Sequence, residues 1–246
     1  MEVGVSIERA KELISACKLN LSLETIHLDK ANGRILAKGL VSKVNDPRFD
    51  NSAMDGWAVR EEDCSSNNVT ILRIVGAIQA GSENVHRIKS GEACKITTGA
   101  PIPDGADAIV IVENSRIEGE NVIITGQAKK SFIRIKGENL SRGKLAIPEG
   151  TCMGSSTISL AATMGYDEIS VFRKPIIGII STGDELVMPN SKIKDWQIFE
   201  SNSFGIAALV EKMGGKPVRY GIVTDSVDQL RETMDDAVEN CDALIT

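Results

Sequence analysis

The spacing of apolar positions changes character several times along the chain. Ile7, Ala10, Ile14 and Cys17 keep helical spacing behind Ser6, a residue suited to an N-cap, and predict a first helix. A short strand near 23–28 follows, then a compact turn and helix around 32–37. From about Gly56 to Ile135 the helical period gives way to short β-rich segments. These are VTILRIV (69–75), ACKIT (93–97), AIVIV (108–112) and NVIIT (121–125), punctuated by Gly, Pro and Asn. Such a run predicts a small barrel or sandwich inserted into the fold. Residues 155–165 return to helical spacing through Ile158, Ala161, Ala162 and Met164.

The last third reads differently again. PIIGIIST (175–182) is a β-branched apolar run of the kind buried in parallel sheets. A helix from about Ser203 to Met213, a strand KPVRYGIV (216–223), a helix over 226–240 and a strand ALIT (243–246) complete a strand–helix–strand–helix–strand series. That series opens a doubly wound sheet, whose ligands bind beyond the carboxyl ends of the strands. Three strands are few for this architecture, so the expectation is a fold cut short or completed by a partner. The fold class is therefore multidomain α+β with α/β. A discontinuous N-terminal α/β domain spans 1–50 and 137–174, and a β-rich, barrel-like domain is inserted over 51–136. An incomplete α/β domain spans 175–246.

Composition narrows the chemistry. The 246 residues are 42% apolar but only 4% aromatic, so Ile, Val, Leu and Ala must fill the core. A net charge of −6 argues against a general nucleic-acid binder and leaves room for a local basic pocket. The five cysteines are scattered without a CxxC pair, which speaks against a zinc knuckle or a thioredoxin-type site and suits a reduced compartment. MEVGVSIERAKELI lacks the apolar core of a signal peptide, and no apolar run approaches the ~20 residues that span a bilayer. The expectation is a cytoplasmic protein with no membrane or nucleic-acid partner. The two histidines, His27 and His86, each sit in a stretch reading as strand or strand edge. Catalysis here should rest on carboxylates, lysines, backbone amides and hard cations.

FDNSAMDGWAVR (49–60) follows neither period, and small residues Ser52, Ala53 and Gly56 surround one acid, Asp55. Such a carboxylate can hold Mg²⁺, with Gly56 relieving a tight turn; equally, it can be a turn acid capping nearby amides. In TTGAPIPDGADAIV (97–110), Thr97 or Thr98 can offer a hydroxyl and amides to an oxyanion, or the segment is a rigid loop in which Asp107 supports the turn. STGDEL (181–186) follows a buried strand, which puts Ser181, Thr182, Gly183, Asp184 and Glu185 at the sheet's functional edge, with Glu185 a second candidate carboxylate. Ser201, Asn202 and Ser203 precede an apolar helix and suit either a phosphate or ordinary capping. In RIKGENL, Arg134 and Lys136 form a basic pair beside Gly137, suited to an oxyanion or simply solvated. The cysteines read as packing or loop residues: Cys17 and Cys241 apolar, Cys64 exposed. Met164 and Met213 take helix-end packing positions.

Four stretches together carry a family resemblance: NSAMDGWAVR (51–60), KITTGAPIPDGADAIVIVE (95–113), ISTGDEL (180–186) and ESNSFGIAALVEKMGG (200–215). In this order they resemble the molybdopterin molybdenumtransferases, the MoeA and gephyrin E-domain family, with RIKGENLSRGKL (134–145) a looser fifth match. The resemblance implies insertion of molybdate into adenylylated molybdopterin with Mg²⁺ and release of AMP. It implies an elongated homodimer with sites between subunits, and a molybdopterin adenylyltransferase as a possible partner. It also implies further chain carrying a Gly-Gly-Val-Ser loop and a C-terminal β domain.

By the same resemblance Asp55 and Glu185 hold Mg²⁺ and Thr98 orients the ligand. Residues 181–184 line the cofactor site, Ser201–Ser203 meet phosphate, and Arg134 and Lys136 attract molybdate. Trp57 and Trp196 either flank the pterin or merely pack. Many relatives carry an aspartate where Asn139 sits. Two alternatives belong to other classes: a non-catalytic dimeric binding or scaffold module, and a pterin-adenylylating relative, to which the N-terminal motifs are foreign.

Overall fold

The computed structural model describes residues 4–64, 69–82 and 87–246; His86, read above as strand or strand edge, lies outside them. The chain divides into two compact units. One comprises Met1–Lys38, Glu149–Ile158 and Asp167–Thr246, the other Gly39–Pro148 and Ser159–Tyr166. The mixed α and β content is that of a multidomain α+β protein.

In the first unit, helix α1 (Ile7–Ala16) starts where the Ser6 hydroxyl accepts the Arg9 amide at 3.2 Å. None of its residues is buried, and Cys17, expected to pack, is exposed just past its end. The strand Leu23–His27 pairs antiparallel with Glu168–Phe172. The helix expected over 32–37 is absent. A 3₁₀ turn covers Leu28–Lys30, and the chain then runs extended, with Ile35 bridging Cys152 and Leu36 bridging Val171. Leu36 is fully buried by that pairing, a long-range gain that overrides local helical preference.

Helix α2 (Ser155–Thr163) forms where helical spacing predicts it. The parallel sheet places Ile176–Thr182 between Lys216–Val223 and Ala243–Ile245. Helices α3 (Asn202–Lys212) and α4 (Val227–Asn240) make the two crossovers. Met213, expected to pack at the end of α3, is 79% exposed. The start of the sheet is pinned by Arg173, which donates to both oxygens of Asp242, while Asp242 also accepts the Ile176 amide at 2.7 Å. The guanidinium holds the Asp242 carboxyl below the usual carboxylate range against its partial burial.

The second unit is built on a six-stranded sheet. Its order is Ala108–Ile111, Gly56–Val59, Glu92–Ile96, Thr70–Ile78, Asn121–Ile124, Ser115–Glu118. Both faces are covered. Trp57, Val59, Val110, Val122 and Ile124 pack on one face, and Ala58, Ile78, Ile96 and Ile109 on the other. This alternation explains the unbroken apolar runs: each strand must satisfy two cores. Trp57 is a core residue, 1% exposed, with its indole N–H on the Ser115 hydroxyl at 2.8 Å. Cys64, expected to be exposed, is half-buried, and burial followed by Asp63 and Asp107 pushes its thiol up to about 11.

Candidate functional site

Each unit carries its own cluster of the predicted residues. In the second unit, the segment before Asp55 is stitched to its neighbours by backbone bonds. Gly99 donates to the Ser52 carbonyl at 2.8 Å, Ser52 to Ala100 at 3.0 Å, and Ala53 to Phe132 at 2.8 Å. The buried Ser52 hydroxyl turns back to the Met54 carbonyl at 2.6 Å, so it shapes the loop rather than facing solvent. The strand then begins at Gly56. Its small size answers a close approach, not the tight turn anticipated. A Cβ there would stand 1.9 Å from the Val110 carbonyl oxygen of the neighbouring strand.

The antiparallel register pairs Gly56 with Ile96, which brings Asp55 to the turn at Thr97–Thr98. Asp55 Oδ1 accepts the Thr98 amide at 2.6 Å and the Thr98 hydroxyl at 2.9 Å. Those two donors, the amide foremost, hold the carboxyl below its ordinary value and keep it charged. Asp55 is exposed, and among the described residues Oδ2 has no partner. Of the two threonines, Thr97 is structural, its hydroxyl accepting the Ala80 amide at 3.2 Å. Asp107 supports its turn as expected, accepting the Glu61 amide at 2.7 Å and meeting Lys130 at 3.0 Å.

The basic pair is unequal. Arg134 is tied to Glu138 at 2.9 Å, whereas the Lys136 ammonium makes no ion pair among the described residues, its amide donating to Asp50 at 2.7 Å. Asn139 donates its side-chain amide to Asp46 at 2.9 Å. An aspartate in its place would face that carboxylate, so the amide here answers a local acid.

In the first unit a cavity of about 280 Å³ opens at the carboxyl edge of the parallel sheet. It is lined by Ser181, Thr182, Ser201, Asn202 and Glu200 among apolar neighbours. Gly183 is buried at φ 142°, and a Cβ on it would meet Glu185 Oε2 at 2.4 Å, so the absence of a side chain lets the Glu185 carboxylate fold over it. Asp184 accepts the Asp225 amide at 3.3 Å. Glu185 and Asp55 lie in different units.

The α3 start departs from expectation. Ser201 caps without a side-chain bond, and Ser201 and Asn202 are exposed. Ser203 is buried. Its amide and its hydroxyl, expected to meet phosphate, are both held by Glu200 at 2.7 Å. Glu200, which the sequence reading passed over, is 3% exposed and also accepts the Ser181 hydroxyl at 3.1 Å. Arg219 completes the network, donating to the Ser203 hydroxyl at 2.9 Å with its guanidinium 3.4 Å from the Phe204 ring centre. Burial pushes the Glu200 carboxyl up, but the Ser203 and Ser181 donors and the Arg219 charge outweigh it and hold the group below its ordinary value. The available signal was the acid three residues before Ser203, the spacing of a side chain capping a helix amide.

Among the described residues, no three His, Cys, Asp or Glu side chains cluster to hold a metal, and no helix is long and apolar enough to cross a membrane.

Comparison with known proteins gives a consistent result. Residues 5–165 match the family model described as the MoeA N-terminal region (domain I and II), and residues 178–246 match a probable molybdopterin binding domain. The molybdopterin molybdenumtransferase of Nostoc sp. is 37% identical over 227 residues, covering 91% of this chain and 52% of that protein. The Staphylococcus aureus protein of the same name is 32% identical over 246 residues, covering 98% of this chain and 59% of its own length. A crystal structure of the molybdopterin biosynthesis MoeA protein from Pyrococcus horikoshii superposes with a TM-score of 0.90 at 31% identity, covering 96% of this chain and 64% of that one. A second crystal structure of that MoeA protein gives 0.85 at 30% identity, covering 98% and 62%. The chain thus spans between half and three fifths of the length of these curated relatives.

Proposed function

The chain belongs to the MoeA family, and on that premise we propose that it serves molybdenum cofactor biosynthesis by inserting molybdate into adenylylated molybdopterin with release of AMP. The observation that carries this reading is the pair Asp55–Thr98. It comprises an exposed, ionised carboxylate with one oxygen fixed by two donors and the other free among the described residues.

Magnesium suits this donor set. It dehydrates reluctantly and is commonly held by one or two carboxylates together with waters and substrate phosphates, so no closed protein cage is needed. Asp55 and Glu185 are the carboxylates that would hold it. When bound, the ion would offset the mutual repulsion of phosphate and molybdate. Thr98 keeps Asp55 charged and aimed. With Arg134 paired to Glu138, Lys136 is the cation open to a dianion. Ser201 and Asn202 remain for a phosphate, while Ser203 is occupied. The reaction would proceed by positioning and charge neutralisation, with no histidine required.

The same reading includes a homodimer, a cytoplasmic setting in keeping with five free cysteines, and delivery of substrate by a molybdopterin adenylyltransferase. Its test supplies the complete protein with adenylylated molybdopterin, molybdate and Mg²⁺. Stoichiometric AMP release with active cofactor formed is expected. Tight molybdopterin binding without AMP release would replace the enzyme with a binding module.

A further inference from the structure

We infer that the cavity at the carboxyl edge of the parallel sheet takes the nitrogen-rich ring of a pterin and rejects phosphate, and that Glu200 is the residue that imposes this choice. The inference rests on the reading of this unit as a molybdopterin site and adds which part of the ligand goes where.

The argument is one of hydrogen-bond polarity. The Ser181 hydroxyl gives its proton to Glu200 Oε1 at 3.1 Å, so toward the cavity it can only accept. The Ser203 hydroxyl gives its proton to Glu200 Oε2 and receives the Arg219 Nε–H at 2.9 Å, and the Ser203 amide is taken by Oε1. An ionised carboxylate has about four lone-pair positions. Oε1 uses two of its own, while Oε2 receives a single donor among the described residues and keeps one open.

The buried polar wall of the cavity therefore offers acceptors and no side-chain proton. Donors survive only at the rim, on the exposed Thr182, Ser201 and Asn202. A phosphate brings acceptors and negative charge, and meets like with like at the wall. The aminopyrimidine edge of a pterin brings N–H donors, and its flat faces suit the apolar sides formed by Ile180, Leu186 and Ile206. Size agrees: about 280 Å³ lies just under the roughly 300–1,000 Å³ of common ligand pockets, enough for one ring system and too little for a whole adenylylated molecule. The anionic part of the ligand then points outward, past Ser201 and Asn202.

The test titrates the 246-residue chain with three probes: pterin alone, inorganic phosphate alone, and molybdopterin. Backbone amide resonances of Ser181, Glu200 and Ser203 report on the wall. Pterin and molybdopterin are expected to shift these resonances, and phosphate to leave them in place. Glu200→Gln turns one acceptor into a donor, and should weaken both pterin-bearing probes by about tenfold or more. Should that variant fold poorly, Ser181→Ala removes an acceptor without touching α3 and is expected to weaken them about threefold. Phosphate that shifts the Ser203 amide, or binds better to Glu200→Gln, overturns the inference. Molybdopterin that binds while the three resonances stand still sinks the inference and spares the transferase reading. Molybdopterin that binds nowhere on the chain sinks both.

Discussion

Asp55 and Glu200 are carboxylates of the same sign, both held below their ordinary range by backbone and hydroxyl donors, and they serve opposite ends. Asp55 is exposed, and its two bonds both land on Oδ1, so Oδ2 is left to solvent or a ligand. Glu200 is buried, and its bonds join a strand end at Ser181 to a helix start at Ser203. Hydrogen bonding alone therefore does not mark an acid as reactive. What separates the two is where the unsatisfied lone pairs point, and whether removing the charge would damage a ligand contact or the fold.

That contrast can be broken by four substitutions, taken from the largest expected effect to the smallest. Glu200→Ala strands a buried amide and two hydroxyls, and should cost about 3 kcal/mol or more in urea unfolding of the first unit. Because the Glu200 carboxyl lies below its ordinary 4.5 in the folded state, its stabilisation is present above that pH and fades as pH falls through the depressed value. An unfolding series from pH 6 down to pH 3 should show Glu200→Ala losing its deficit relative to wild type. Asp55→Ala should leave the urea midpoint unmoved and lower AMP release by the complete protein about 100-fold or more. An Asp55→Ala variant that unfolds early while retaining turnover would reassign Asp55 as a turn acid.

Thr98→Val removes the hydroxyl donor and keeps the amide. AMP release should fall about tenfold. The acid limb of its pH profile should move upward, since a carboxyl that loses a donor rises toward its ordinary value and is protonated sooner. Ser201→Ala should change stability by less than about 0.5 kcal/mol, because the cap hydroxyl makes no bond to the helix. A larger loss there would mean that Ser201, like Ser203, is architectural.

Much of the α/β portion was legible because each element announces itself locally. Ile176–Thr182 is β-branched and apolar throughout, and α4 keeps a clear helical period. The segment 32–37 was not legible: what fixes it is pairing with Cys152 and Val171, more than a hundred residues away, which no local preference can register. At the site, Asp55 and Thr98 could each be singled out as chemistry held among small residues. Their bond could not, since it depends on the register of Gly56 with Ile96. Glu200 was hidden for a different reason. The cluster Ser201–Ser203 looked like a row of free donors, and only burial reveals that the preceding acid has already claimed Ser203. Asp55 and Glu185 could be proposed for one ion from their residue types. Each unit then supplies the surroundings of its own acid.

The two tryptophans give the molecule a built-in optical label for each unit. Trp57 is sealed in the six-stranded sheet with its indole N–H bonded, and Trp196 stands 60% exposed in the other unit, with the Lys194 ammonium 5.4 Å from its ring centre. Trp57 should emit toward the blue and resist iodide. Trp196 should emit toward the red and be quenched readily, its lysine drawing the anion in. Fluorescence of the unmodified protein can thus follow the melting of one unit in the presence of the other, without a dye.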